Sequence, residues 1–299
     1  MTCGDPNVSH SPQRADVFVG ECNNHVAHVY ARLARPKQPG DLGLRGRLRG
    51  PMNAHSATLP TNYPLVDLGP GDTTLARAKV PDPCTWSPTT PSLYEFWIED
   101  PLGQVPPLHR SAFGIRQFGP RGSSLLLDAR LWVPRGIHGD QATESLEVWR
   151  EQAAVRVTQR FDAALFAEAS RTGVMIVYEA TSGSVDEISS LLVELADFAA
   201  VAMVLFPSGI HLPDAVRKVA PNVVLAQRVD RREELSSWAQ VAWASAANPD
   251  QLAQLATELS LPIIVERRYL GDSLAAARAA CDELQAELAP LGQFAGYVV

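Results

Sequence analysis

Residues 173–206 read GVMIVYEATSGSVDEISSLLVELADFAAVAMVLF, and this stretch decides the fold class. Two apolar runs within it, Val174–Glu179 and Val201–Phe206, are typical of strands that are buried on both faces. The segment between them, Val185–Phe198, repeats its apolar residues at helical spacing. A strand, a helix and a second strand in this order predict a unit of a parallel α/β sheet.

The same alternation continues on both sides of this unit. Further apolar runs predict strands at Leu131–Ile137, Ala154–Thr158, Val223–Val229, Val241–Ser245, Ile263–Glu266 and Phe294–Val299. Amphipathic segments between the strands predict helices at Phe161–Arg171, Pro213–Val219, Pro249–Leu259 and Ser273–Leu288. Asn248, directly before Pro249 and Asp250, is the residue type expected at a helix N-cap.

Eight strands that alternate with helices predict a compact (β/α)₈ barrel of the TIM type. The chain after residue 122 is shorter than the roughly 200 residues that such barrels usually need. The printed sequence also ends on the eighth strand, so we expect no final helix to cover it. An open parallel sheet of six to eight strands is the alternative that the strand count leaves open.

The first part of the chain has a different pattern of apolar and turn-forming residues. Short apolar runs are separated by turn signals such as Gln38-Pro-Gly-Asp41 and Gly69-Pro-Gly-Asp72. Such spacing predicts an antiparallel β-sandwich. We therefore divide the chain into a flexible N-terminus at residues 1–13, a sandwich at residues 14–122 and the barrel at residues 123–299.

The composition argues against several classes of function. A formal net charge of -7 argues against a nucleic-acid binder that neutralises phosphates. Arg45, Arg47 and Arg49 alternate along one run, as residues on the solvent face of a strand do. The Walker, GxGxxG, HExxH and GxSxG motifs are absent from the sequence, so nucleotide-binding, zinc-protease and serine-hydrolase functions have no support. We predict neither a metal ion nor a cofactor.

Cysteine usage and hydrophobicity bear on the compartment. Cys3, Cys22, Cys84 and Cys281 are widely spaced and form no CxxC pair, which favours free thiols in a reducing environment. The first 13 residues lack the apolar run of a signal peptide, and no stretch reaches the ~20 apolar residues that span a bilayer. The expectation is a cytoplasmic protein that has no membrane partner.

Several ordered motifs resemble glycoside hydrolase family 2. The segments that carry the resemblance are WSPTTPSLY at Trp86–Tyr94, FGIR at Phe113–Arg116, LLLDARLWVPRG at Leu125–Gly136, AVR at Ala154–Arg156 and GVMIVYE at Gly173–Glu179. Asp128-Ala129 stands where the family usually has Asn-Gly. The resemblance covers residues 67–299 and implies an immunoglobulin-like sandwich followed by a (β/α)₈ barrel. The family's N-terminal sugar-binding sandwich has no evident counterpart.

The resemblance also implies a chemistry. Family 2 enzymes are retaining glycosidases, which need two carboxyl groups about 5–5.5 Å apart. The family's nucleophile position, at the end of strand 7, falls on Glu266. Its acid/base glutamate after strand 4 falls on Gly209, next to Ser208, and neither of these residues can act as a carboxylic acid. Glu266 is thus the candidate nucleophile, and pairing of Glu266 with Arg228, Arg267 or Arg268 is the structural alternative.

Other groups near the ends of the predicted strands could take part in the site. Glu179 at the end of strand 3 is a candidate substitute acid, and Asp230 and His211 are further options. We predict substrate-binding roles for Arg135, His138, Asp230 and Ser208. Arg156 corresponds to an arginine that is structural in the family. Of the tryptophans, Trp132 could stack on a sugar, whereas Trp149, Trp238 and Trp243 are interpreted as packing residues.

These observations support three hypotheses. The first is a degenerate family 2 protein that has lost hydrolysis and keeps a role in carbohydrate binding. The second is an active retaining β-glycosidase that uses Glu266 with an unusual acid, and the third is a non-enzymatic interaction scaffold. A carbohydrate or glycoside is the expected partner, together with self-association into a homo-oligomer through apolar surface left by the short barrel.

Overall fold

A computed structural model describes residues 15–299, apart from 104–105, 141, 270 and 272. The predicted flexible segment at residues 1–13 and Cys3 lie outside the described residues. Cys22, Cys84 and Cys281 are free thiols. No helix among the described residues has both the length and the apolar character to span a membrane.

Two four-stranded antiparallel sheets form the first part of the molecule. The strands are β1 Asp16–Cys22, β2 Val26–Leu33, β3 Arg45–Met52, β4 Thr61–Pro64, β5 Val66–Asp67, β6 Thr74–Pro81, β7 Leu93–Glu99 and β8 Leu108–Phe113. Their orders in the two sheets are β1-β2-β6-β5 and β4-β3-β7-β8. Alternate residues of β2 are buried, and one apolar core draws on both sheets, so the predicted sandwich is confirmed.

A three-stranded antiparallel sheet joins the sandwich to the barrel. It consists of β9 Phe118–Arg121, β10 Ser124–Leu127 and β11 Arg130–Leu131. The β10–β11 turn places Asp128 and Ala129 at φ 50° and φ 60°. The expected strand at Leu131–Ile137 therefore begins late, because Leu131 pairs back with Leu126 in this hairpin instead of entering the barrel.

Eight parallel strands close into a barrel in chain order, which excludes the alternative of an open sheet. Three expected strands have the expected bounds, at 201–206, 241–245 and 263–266. The barrel strands are β12 Arg135–His138, β13 Val155–Thr158, β14 Ile176–Glu179, β15 Val201–Phe206, β16 Val224–Arg228, β17 Val241–Ser245, β18 Ile263–Glu266 and β19 Gly296–Val298.

The connections between the strands explain how a short chain closes the barrel. The α-helices are α1 Leu146–Glu151, α2 Ala163–Thr172, α3 Val185–Leu195, α4 Pro249–Glu258 and α5 Leu274–Leu288. Strands β15 and β16 are followed only by 3₁₀ turns, at Asp214–Lys218 and Arg232–Glu234. The expected N-cap of α4 is confirmed, because the side chain of Asn248 accepts from the Gln251 amide at 3.2 Å.

The expectation of an uncovered eighth strand is wrong. Helix α5 lies against both β12 and β19, and all three residues of β19 are buried. The helix that precedes the last strand thus covers the seam where the barrel closes. The 15 residues of α5 make it long enough to do so.

The sandwich and the hairpin sheet meet the barrel at the N-terminal ends of its strands. Arg116 donates hydrogen bonds to the carbonyls of Ala199, Val201 and Asn222, at the start of β15 and before β16. Trp86 is fully buried and donates through Nε1 to the Ser170 carbonyl at 2.8 Å. These described contacts between the sandwich segment and the barrel thus lie at the end of the barrel where its strands begin.

Candidate active site

Four charged or polar side chains meet where the barrel strands end. His138, Glu179, Arg228 and Glu266 are the last residues of β12, β14, β16 and β18. Corresponding positions on alternate strands of a barrel point to the same layer of its interior. Closure of the barrel therefore brings these four residues together at the C-terminal face, the usual location of barrel active sites.

Glu266 accepts hydrogen bonds through both carboxylate oxygens. Oε1 accepts from His138 Nε2 at 2.9 Å, and Oε2 accepts from an Arg228 amino group at 2.5 Å. The indole N–H of Trp243 also donates to Oε2 at 2.5 Å. Burial by itself raises the pKa of Glu266, but the His138 hydrogen bond and Arg228 outweigh it and lower the pKa to about 2. Glu266 is therefore an ionised carboxylate.

The same hydrogen bond shifts the pKa of His138 in the opposite direction. Its hydrogen bond to Glu266 raises its pKa, and this effect exceeds that of burial. A carboxylate can only accept, so Nε2 of His138 carries a proton in this geometry. His138 and Glu266 thus form a charge-assisted pair when the imidazole is protonated.

Arg228 links Glu266 to Glu179. Its Nε and second amino group donate to Glu179 Oε1 at 3.1 and 2.6 Å. The other oxygen of Glu179 accepts from Gln159 Nε2 at 2.9 Å. The two glutamates are therefore bridged by one guanidinium, and each of these hydrogen bonds has the glutamate as acceptor. This is the arrangement of a carboxylate, whereas a general acid must present a proton to the leaving group.

The position after strand β15 carries no carboxyl group. Ser208 and Gly209 form an exposed turn there, and Gly209 has φ +74°. A Cβ built on Gly209 would meet no atom within 4 Å, so the position is open to solvent. His211, two residues further on, is also exposed.

Arg135 does not belong to this site, which corrects the prediction of a substrate-binding role. It is the first residue of β12, at the opposite end of the strand from His138. Its side chain donates to Asp282 at 2.8 Å and to Gln285 on α5, and its guanidinium lies over the ring of Tyr297. Residues of odd and even number alternate across a strand, so Arg135 faces the outer helix while His138 faces the barrel mouth.

Asp230 lies on the same barrel face but in a neighbouring depression. Its backbone amide donates to Glu234 at 2.9 Å, and its carbonyl accepts from Gln251 on α4. The depression has a volume of about 330 Å³ and is also lined by Ser245 and Asn248. None of the described hydrogen bonds connects Asp230 to Glu266.

A larger cavity opens beside Glu266. It has a volume of about 760 Å³, within the range of small-molecule sites. His138, Glu266, Arg268 and Tyr269 line it together with Asp140 and Glu144. Beneath the site, apolar side chains fill the barrel interior and leave a cavity of only about 10 Å³, about the space of one water molecule. A ligand can therefore reach Glu266 from the mouth but cannot enter the barrel.

From the sequence, Arg228 is only an alternative partner of Glu266, and Gln159 is not among the candidate site residues. Trp243 is expected to be a packing residue, and its ring is indeed buried, at 1% exposure. The indole N–H nevertheless binds Glu266, a polar role for which the apolar run VAWAS gives no signal. Arg228 does carry a signal, because a charged residue ends the apolar strand VLAQR.

Arg156 has the structural role that was expected. It is a buried residue of β13, it donates to the Gly139 carbonyl at 2.5 Å and its guanidinium lies over the Trp149 ring. The described residues contain no group of three His, Cys, Asp or Glu side chains that could hold a metal ion.

Comparisons with known proteins identify solved structures that have a similar fold. No family model matches the chain, and no curated protein matches it either. Solved structures do match, among them Bacteroides uniformis beta-glucuronidase 2 covalently bound to cyclophellitol-6-carboxylate aziridine. That structure has a TM-score of 0.60 and 13% sequence identity, and the match covers 95% of this chain and 45% of that chain.

Two further matches are similar. A glycosyl hydrolase family 2 member from Bacteroides cellulosilyticus has a TM-score of 0.62 and 13% identity, with 95% of this chain and 43% of that chain covered. Bifidobacterium dentium beta-glucuronidase complexed with coumarin-3-O-glucuronide has a TM-score of 0.60 and 11% identity, with coverage of 95% and 59%. The chain thus spans about half the length of the structures it matches, and the resemblance to glycoside hydrolase family 2 is confirmed at the level of the fold.

Proposed function

We propose that this chain is a carbohydrate-binding protein with the fold of a family 2 glycoside hydrolase that does not hydrolyse glycosides. One observation carries the proposal. By the family resemblance, Ser208 and Gly209 stand where the general acid would be, and Glu179, the candidate substitute, accepts hydrogen bonds through both oxygens. Without a positioned proton donor, the step that releases the leaving group loses about 10²–10⁴-fold in rate.

The hydrogen bonds of Glu266 support the same proposal. A retaining nucleophile must direct an oxygen lone pair at the sugar. In this site one oxygen of Glu266 is held by Arg228 and Trp243, and the other is held by His138. These bonds occupy three of the about four lone-pair positions of the carboxylate, and the free position lies on Oε1. Since three donors draw charge from the carboxylate and hold it in place, the network suits a fixed acceptor for a sugar hydroxyl better than a nucleophile.

The cavity beside Glu266 supports binding. Glu266 and His138 supply hydrogen-bonding groups, and Tyr269 supplies an aromatic ring. Sugars are recognised by such combinations, because hydroxyls bind polar groups and C–H faces pack on aromatic rings. Two of the matching solved structures are bound to sugar derivatives, a carboxylate-bearing cyclophellitol and a glucuronide. Glycosides that carry a uronic acid are therefore the first ligands to test.

The test measures turnover and binding on the same samples. Aryl β-glycosides release their leaving group with little help from an acid, so they report on the nucleophile alone. We expect no turnover of aryl or alkyl β-glycosides, together with saturable binding that Glu266→Gln weakens. Glu283→Gln, an exposed change on α5, is the matched control and should leave binding unchanged. Absence of both turnover and binding would contradict the proposal and favour an interaction scaffold.

An active retaining β-glycosidase is the second candidate. The observation in its favour is the low pKa of Glu266, because a nucleophilic carboxylate must be ionised. This candidate requires turnover of aryl glycosides that Glu266→Gln abolishes and Glu283→Gln preserves. Such a result would contradict the non-hydrolytic proposal directly.

A further inference from the structure

A second cleft lies at the other end of the barrel from Glu266. It has a volume of about 730 Å³ and is formed where the sandwich, the hairpin sheet and the starts of β13 and β14 meet. Clefts of this size between domains are common ligand sites. None of the residues that form it belongs to the site around Glu266.

Hydrogen bonds between the two domains fix the walls of this cleft. The loop at residues 85–90 of the sandwich forms one wall. Arg150 at the end of α1 donates to the carbonyls of Pro88 and Thr89, each at 3.3 Å. Trp86 anchors the same loop through the Ser170 carbonyl. The cleft is thus held in shape before any ligand arrives, which reduces the entropic cost of binding.

Beside this loop, the lining of the cleft includes an unpartnered carboxylate oxygen. Asp128 in the β10–β11 turn has a hydrogen bond to Thr85, but its Oδ1 is buried and has no partner among the described residues. A buried carboxylate oxygen without a donor destabilises the fold. Oδ1 is shielded from solvent but Asp128 lines the cleft, so a rotation of this carboxylate would let a hydroxyl of a bound molecule supply the missing donor.

Apolar surface lies next to this carboxylate. Leu131 is 60% exposed, and Trp132 is partly buried with an edge-to-face contact to Phe118. Both residues line the cleft. Across from them are the hydroxyl groups of Ser87, Thr89 and Thr90. A ligand that fits must therefore combine an apolar face with several hydroxyl groups, as a sugar ring does.

We propose that this cleft is a second carbohydrate-binding site, in which a sugar ring packs on Leu131 and Trp132 and donates a hydroxyl to Asp128. The site is independent of Glu266 and of the function proposed for the barrel mouth. The two sites would let one chain hold two sugar units at opposite ends of the barrel.

Tryptophan indoles labelled with ¹⁵N can report on both sites in one titration. The signal of Trp132 reports on the cleft. The signal of Trp243, whose indole N–H donates a hydrogen bond to Glu266, reports on the barrel mouth. Replacement of each tryptophan by Phe assigns its signal. The probes are methyl β-glycosides of glucose, galactose, xylose, N-acetylglucosamine and glucuronic acid.

We expect at least one glycoside to shift the Trp132 signal saturably. Asp128→Asn should raise the Kd of that response about tenfold or more, because a charged acceptor is lost while asparagine still tolerates the positive φ of the turn. Leu131→Ser, at an exposed position, should weaken it severalfold without affecting folding. Glu266→Gln should leave it unchanged.

Two results would overturn the inference. One is the absence of any Trp132 shift with all five glycosides, and the other is a shift whose Kd is unaffected by both Asp128→Asn and Leu131→Ser. The Trp243 signal separates the two proposals, because it tests the barrel mouth whatever the cleft does.

Discussion

At the scale of single residues, Glu266 controls the charge balance of the barrel mouth. Its carboxylate is stabilised by His138, Arg228 and Trp243, and its pKa of about 2 lies below the ordinary value of 4.5. A lowered pKa in the folded state means that the ionised form stabilises the fold above pH 4.5. This contribution is lost as the pH falls from 4.5 towards 2. The raised pKa of His138 acts in the opposite sense, since its contribution is complete below its ordinary value of 6.5 and is lost as the pH rises through the raised value.

Glu266→Gln should therefore destabilise the protein in a pH-dependent manner. At pH 6, where both charges of the Glu266–His138 pair are present, we expect the free energy of unfolding to fall by about 1–3 kcal/mol. Below pH 4.5 the difference from the wild type should shrink. Urea unfolding at pH 6 and pH 3 measures both values, with Glu283→Gln as control. An equal loss of unfolding free energy at pH 6 and pH 3 would contradict the conclusion that Glu266 is ionised in the folded protein.

Arg228 is the other residue whose loss should be costly. Arg228→Gln removes the cation between Glu179 and Glu266 and leaves two partly buried carboxylates facing each other. Since Arg228 is about one-third exposed, solvent screens part of this effect, and we expect a loss of about 2–3 kcal/mol. Arg267→Gln is the matched control, because Arg267 pairs with Glu287 on the exposed surface.

The expected loss for Arg267→Gln is below about 1 kcal/mol, the usual value of an exposed pair. Thermal unfolding of both variants at pH 7 provides the comparison. Equal effects of the two substitutions would show that the bridge between the two glutamates contributes no more than a surface salt bridge.

At the scale of single elements, the β10–β11 turn stores backbone strain. Ala129 has φ 60°, a conformation in which a Cβ costs about 1–2 kcal/mol and glycine costs little. Its side chain is exposed, so packing does not compensate. Ala129→Gly should therefore raise the free energy of unfolding by about 1 kcal/mol, despite the greater chain entropy of glycine in the unfolded state.

The same substitution in a helix should have the opposite sign. Ala279 is exposed within α5, where glycine is about 1 kcal/mol less favourable than alanine. Chemical denaturation of Ala129→Gly and Ala279→Gly should thus give shifts in opposite directions. Destabilisation by both would mean that the turn is not strained in solution.

At the scale of the whole molecule, Arg116 couples the sandwich segment to the barrel. Its guanidinium binds three carbonyls from two barrel connections, and burial lowers its pKa to about 10. Arg116→Met should leave these carbonyls without donors and cost about 3 kcal/mol or more. Arg171→Met, which loses only an exposed pair with Glu168, is the control.

Calorimetry can show whether the contacts of Arg116 also make the sandwich and the barrel unfold together. We expect Arg116→Met to lower the Tm and to separate the unfolding of the sandwich from that of the barrel, because the two cores are distinct. Arg171→Met should keep the wild-type profile. A single unshifted transition in Arg116→Met would mean that other contacts, such as Trp86 with Ser170, suffice to hold the domains together.

The sequence alone determined the features that depend on near neighbours. Strands such as Val201–Phe206 and the N-cap at Asn248 follow from local hydrophobic runs and local hydrogen bonds, so periodicity and capping rules predict them. The alternation of eight strands with helices likewise predicted a barrel, and closure of the sheet in the structure excluded the open parallel sheet that the strand count left open. The absence of a carboxyl group at Gly209 was likewise visible in the sequence.

Only the tertiary structure decided which side chains meet. Arg228 lies 38 residues from Glu266 and 49 from Glu179, and the three become neighbours because the barrel closes. Arg135 lies at the wrong end of its strand because the strand begins at Arg135 itself, four residues later than its apolar run suggests. Helix α5 covers the last strand because closure of the barrel brings β19 next to β12, and α5 contacts both. Contacts between distant segments depend on register and on the closing seam, and no local pattern encodes either of them.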